Sequence, residues 1–199
     1  MEISAYRMLY DSIHEFKATA AQVESEITRR GIQSEGQEVA PATGGRTHHD
    51  IWVSMKTVSH FNLGVSLELM LKLLVFLNNK NKDPIPNHHC LIELLDAIPE
   101  KYRKLLEATF QDCMKVIPDG FEPIAFINSA SPDPLDYSPP NRDVGSLRGF
   151  LEYLDQDAML HLKRYSYELV EQDQFRHYLS DISVFVKFID RVMRDIERF

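Results

Sequence analysis

Glu68 and Lys72 stand four residues apart inside SLELMLKLLVF (66–76), a stretch in which eight of eleven side chains are large and apolar. On a helix turning about 100° per residue, that spacing places a carboxylate and an ammonium on one face, within reach of each other. Thr57, His60 and Gly64 fall in the same sector of roughly 120°, so a polar stripe crosses a helix whose remaining surface is mostly apolar. Two chemistries fit. One is an ordinary surface ion pair worth about 0.2–0.5 kcal/mol. The other is a partly buried polar patch in a groove, whose charges are met by groups from other helices because a lone buried charge costs too much. Gly64 inside the stripe lowers helix stability by about 1 kcal/mol relative to Ala, which points to a close approach by another backbone or a ligand.

Other reactive residues form weaker patterns. His48, His49, His60, His88 and His89 lie near the ends or middle of neighbouring elements, but their spacing matches neither a His-x3-His pair on one helix face nor HExxH. No metal site and no cofactor are expected. Cys90 has no His base and orienting partner marked beside it, and Gly44-Gly45 has neither the Walker nor the dinucleotide spacing. For His89, two roles stay open: capping the short helix that follows it, or standing beside Lys72 at the mouth of a groove.

These residues need a scaffold, and the chain is long enough to build one. Its 199 residues suit a single domain, and 22 Lys and Arg against 30 Asp and Glu give a net charge of -8. That balance opposes sequence-independent binding to a nucleic acid backbone, which depends on neutralising phosphates. Two cysteines, Cys90 and Cys113, make no disulfide framework. The opening MEISAYRMLYDSIHEF lacks the layout of a signal peptide, and the longest strongly apolar run is short and carries two charges. A cytoplasmic protein with no membrane association is the resulting expectation.

Helical periodicity dominates. Ile3, Tyr6, Leu9, Tyr10, Ile13, Phe16, Val23 and Ile27 make a stripe over residues 2–30, and Gly31 supplies a stop. Residues 31–47 read as a flexible loop, followed by a second long helix over about 48–79, a polar turn, a short helix at HCLIELLDAI and a helix opened by Pro99. Residues 118–143 hold six of the ten prolines and are expected to be a long loop. Helices resume at VGSLRGFLEYLDQDAML, pass the ambiguous LKRYSYELV, and end with an amphipathic helix over about 174–198. The predicted class is all-α, an up-and-down bundle of about five to seven helices forming one domain over 1–199.

The segment SHFNLGVSLELMLKLLVFLNN, a polar turn, and then NHHCLIELLDAIP resembles the central part of HEPN domains, through Ser66, Glu68, Lys72, His89, Leu91 and Leu94. Lys163-Arg164-Tyr165 followed by Glu168 is similar to a segment that many members carry before the last helix. The resemblance implies a helical bundle, often a homodimer. It also implies either a metal-independent endoribonuclease of toxin–antitoxin or antiphage systems, or a relative that has lost catalysis and binds RNA, a nucleotide or a partner protein. Active members carry an Arg, then four to six intervening residues, then a His on a late helix, so that His moves a proton while Arg holds the phosphate. Here the only pair at that distance is Arg7 and His14, on the first helix. The expectation is therefore a non-catalytic binding or assembly module whose patch comprises Glu68, Lys72, His89, Arg164 and Tyr165. The alternative is an endoribonuclease using an unconventional site such as Arg7 and His14.

Overall fold

The stripe of the N-terminal segment forms α1 (Glu2–Arg29), and the apolar segment that carries Glu68 forms α2 (His48–Asn78). The computed structural model describes residues 2–32, 48–79, 87–115, 123–126, 145–156, 176–179 and 182–196. Beyond the first two helices come α3 (Leu91–Ala97), α4 (Glu100–Met114), β1 (Pro123–Phe126), α5 (Leu147–Gln156), β2 (Arg176–Leu179) and α6 (Ser183–Arg194). The described part is an all-α bundle of six helices, with one short ribbon added to it.

α1 and α2 run antiparallel. Near the end of α1, Glu24 meets Lys56 and Ser59 early in α2, whereas Ser66 Oγ, further along α2, donates to the carbonyl of Ile13 at 3.0 Å. α2 is the central helix: Leu63, Leu67, Met70, Leu71, Leu73 and Leu74 are all buried, which accounts for apolar residues around most of its circumference. The window Ser54–Asn78 is long and apolar enough to cross a membrane by length and composition, and 72% of it is buried inside the bundle, as in the core helix of a folded domain.

The other helices close the core with aromatic rings. Phe150 of α5 stacks on Phe185 of α6 with centroids 3.8 Å apart, and Phe110 of α4 meets Phe188 edge-on at 5.5 Å. Leu91, Leu94 and Leu95 of α3, with Ile98 just beyond it, join the same cluster. A second, smaller cluster gathers Ile27, Ile32 and Trp52 at the other end of the α1–α2 pair.

Gly31 ends α1 as its position suggests, and the mechanism is visible in the backbone. Its φ of 62° lies in the left-handed region, the Gly31 amide donates to Thr28 and the Ile32 amide donates back to Ile27 at 3.1 Å. Buried Ile32 then packs in the cluster of Ile27 and Trp52. A Cβ at Gly31 would meet nothing within 4 Å, so the cost of a side chain is purely conformational. Gly31→Ala is expected to lower unfolding free energy by about 1 kcal/mol, measured by urea denaturation followed by circular dichroism.

Three local expectations are corrected. Residues 118–143 are not wholly loop: Pro123–Phe126 pairs antiparallel with Arg176–Leu179, in the register Pro123 with Leu179 and Phe126 with Arg176. Pro123 tolerates this place because it begins its strand, at the edge of the ribbon. The same pairing moves the start of the last helix from about residue 174 to Ser183, because backbone bonded across a ladder cannot also be helical. Pro99 precedes α4 as its cap residue instead of being its first helical residue. The expected flexible loop beyond Ile32, most of the proline-rich segment, and LKRYSYELV lie outside the described residues.

Candidate functional site

Lys56, His60, Gly64, Glu68 and Lys72 succeed one another every four residues on α2, and all five are buried. Of the expected stripe, His60, Gly64, Glu68 and Lys72 thus form a buried polar seam that Lys56 extends, whereas Thr57 is only partly buried. The seam's two ends do different things.

At the C-terminal end, Lys72 Nζ donates to Glu68 Oε1 at 2.9 Å, and His89 Nδ1 approaches the same oxygen at 2.8 Å from the segment preceding α3. Glu68 and Lys72 are 8% and 9% exposed, while the His89 side chain is 53% exposed. A carboxylate can only accept, so Nδ1 carries the proton in this contact. In the neutral imidazole, Nε2 is left as the proton-accepting atom on a ring that is half open to solvent. The pair is thus neither an ordinary surface bridge nor a lone buried charge: Glu68 is matched by a cation from its own helix and a donor from the next.

His89 is not the cap of α3. That role falls to Asp155, on α5, whose carboxylate accepts from the Leu91 and Ile92 amides at 3.0 Å each and from Cys90 Sγ at 3.4 Å. Negative charge at a helix N-terminus meets both the unpaired amides and the helix dipole. This clamp fixes the start of α3 against α5 and so holds His89 over Glu68. Burial, with the Asp155 charge adding to it, pushes the Cys90 thiol above its ordinary pKa, which disfavours the nucleophilic thiolate. Asp155→Ala is expected to cost about 1–2 kcal/mol and to loosen His89, read as faster amide exchange at Leu91 and Ile92.

At the N-terminal end, Lys56 Nζ donates to Glu24 Oε2 at 2.5 Å, Ser59 Oγ donates to Glu24 Oε1 at 2.6 Å, and His60 Nδ1 lies 2.8 Å from the Lys56 carbonyl. Lys56 also sits 5.5 Å over the Trp52 ring. Sequence reasoning missed Glu24, Lys56 and Asp155. Lys56 could have been found by extending the four-residue series one step back from His60, whereas Glu24 and Asp155 act through contacts remote in sequence.

Of the residues expected to form the patch, Glu68, Lys72 and His89 come together. Arg164 and Tyr165 lie outside the described residues. Arg7 is 82% exposed at the side chain and faces Asp11 at 3.6 Å. His14 tilts against Tyr10 at 4.7 Å, and its Nε2 is buried with no hydrogen-bond partner. Among the described residues no group of three or more His, Cys, Asp or Glu is arranged to hold a metal ion. Comparison with protein-family models, curated proteins and solved structures found no match.

Proposed function

We propose that this protein is a HEPN-like helical binding or assembly module without catalytic activity, working in the cytoplasm within a toxin–antitoxin or defence setting. The observation that carries the reading is the shared Glu68 oxygen. With Lys72 and His89 both directed at it, the cluster is internally matched and offers its partner only the open edge of His89. Lys72 is committed to Glu68 and is not a spare cation for a phosphate. Together with the net charge of -8, this favours a polypeptide over RNA or a nucleotide, beginning with a second copy of the chain as a homodimer.

Sedimentation equilibrium tests the reading. The wild type is expected to self-associate, and His89→Ala to weaken association about tenfold, the loss of one hydrogen bond to a partner. Far-UV circular dichroism should be unchanged in the variant, since His89 is half exposed. A parallel incubation with mixed RNA in EDTA addresses the second reading, the metal-independent endoribonuclease. Cleavage that disappears in His14→Ala or His89→Ala would overturn the non-catalytic assignment, as would a strictly monomeric protein that binds RNA through His89.

A further inference from the structure

A second cluster of charged side chains sits where α3, α4 and α5 meet, away from the polar seam of α2. Arg103 of α4 donates through Nη1 to Asp96 Oδ1 at 2.9 Å, and Arg148 of α5 donates through Nη2 to the same oxygen. Two guanidinium groups from different helices are thus drawn onto one carboxylate at the end of α3. Glu152 lies 3.9 Å from Arg148, beyond hydrogen-bond distance. The nearby Lys104 and Glu100 pair with each other at 2.7 Å.

The donors outnumber the acceptors that the described residues supply. A guanidinium carries several N–H groups in a rigid fork suited to carboxylate or phosphate, and it stays charged at any ordinary pH. Among the described residues only one hydrogen bond from each arginine finds a protein acceptor. Arg103 Nε is shielded from water and has no partner. Neighbouring like charges repel, yet three elements of the bundle hold them together around one small anion. Their side chains remain 35% and 45% exposed, so a ligand can reach their outer edges.

We propose that Arg103 and Arg148 form an oxyanion-binding site, for a phosphate or carboxylate group, in which Asp96 is the internal occupant. Asp96 organises the two forks and competes with the incoming anion for them. That competition gives the site a signature that a merely structural ion pair lacks. Removing the Asp96 charge should tighten anion binding, whereas removing either arginine should abolish it.

The probe is inorganic phosphate at constant ionic strength, titrated into the full chain and followed by the arginine Nε–H resonances, with acetate as the planar counterpart. For Asp96→Asn the dissociation constant is expected to fall about tenfold relative to the wild type, the equivalent of one charge-assisted hydrogen bond set free. Arg103→Met and Arg148→Met should each lose saturable binding of both anions while keeping the wild-type far-UV spectrum. Saturation by either anion with this order of affinities supports the site. Equal affinity across the wild type and the three variants, or no saturation in Asp96→Asn, marks an adventitious ion only and overturns it. If an arginine variant fails to fold, the Asp96→Asn comparison still decides.

Discussion

Glu68→Ala is expected to lower the free energy of unfolding by about 3 kcal/mol, near the lower end of what breaking a buried ion pair costs. The substitution strands the Lys72 ammonium, on a residue 9% exposed, without the one carboxylate that it meets among the described residues. It also releases His89 Nδ1, whose acceptor among the described residues is the same oxygen. Glu68→Gln keeps the shape and an acceptor oxygen, so it should cost about 1–2 kcal/mol, the charge-assisted share of the two bonds. Urea denaturation gives the stabilities. Nitrogen-15 spectra of the imidazole give the tautomer, with Nδ1–H dominant in the wild type and lost in Glu68→Ala. A stability loss below 1 kcal/mol for Glu68→Ala would mean that water reaches Lys72 freely and that the seam is open.

A loss of about 3–5 kcal/mol is expected for Glu24→Ala, the largest effect among these variants. Lys56 is more deeply placed than Lys72, with its side chain only 3% exposed, and Glu24 serves two buried partners at once, Lys56 and Ser59. The Trp52 ring 5.5 Å from Lys56 retains a cation–π contact in the variant, which recovers about 0.5–2 kcal/mol and holds the loss within that range. The double variant Glu24→Leu with Lys56→Met removes both charges and replaces them with apolar groups of similar size. Its stability should return to within about 1–3 kcal/mol of the wild type, because no buried charge is left unpaired and the remaining cost is the buried Ser59 hydroxyl deprived of Glu24. Thermal and urea unfolding of the two singles and the double complete the cycle. Purely additive losses would show that Glu24 and Lys56 do not interact energetically in spite of their contact.

The two ends of the seam suggest a division of labour. The Glu24–Lys56–Ser59 end lies between α1 and α2 and sets how those helices register, since a slide by one turn would leave buried Lys56 and Ser59 and partly buried Glu24 unmet. The Glu68–Lys72–His89 end reaches the edge of the bundle through a half-exposed imidazole, and only there can a partner touch it. Mutations at the first end should act on folding alone, whereas His89 can be changed with little effect on folding.

The sequence by itself determined the helical class, the spans of α1 and α2, the stop at Gly31 and the spacing that brings Glu68 to Lys72. All of these depend on residues within about one or two helical turns, where periodicity and backbone preference are decisive. Even the glycine stop is local, since a positive φ is needed wherever a helix ends in this way. What a stripe faces is not local. That the seam is buried, that His89 meets Glu68, and that Glu24 and Asp155 serve Lys56 and the α3 amides follow from contacts between residues 21 to 64 positions apart. The ribbon of Pro123–Phe126 with Arg176–Leu179 belongs to the same category, because neither short segment has a pattern of its own and each becomes a strand only beside the other. Hydrogen-bond partners supplied by distant elements leave no periodic mark in the chain, so tertiary packing alone decided which charges became a core device and which stayed at the surface.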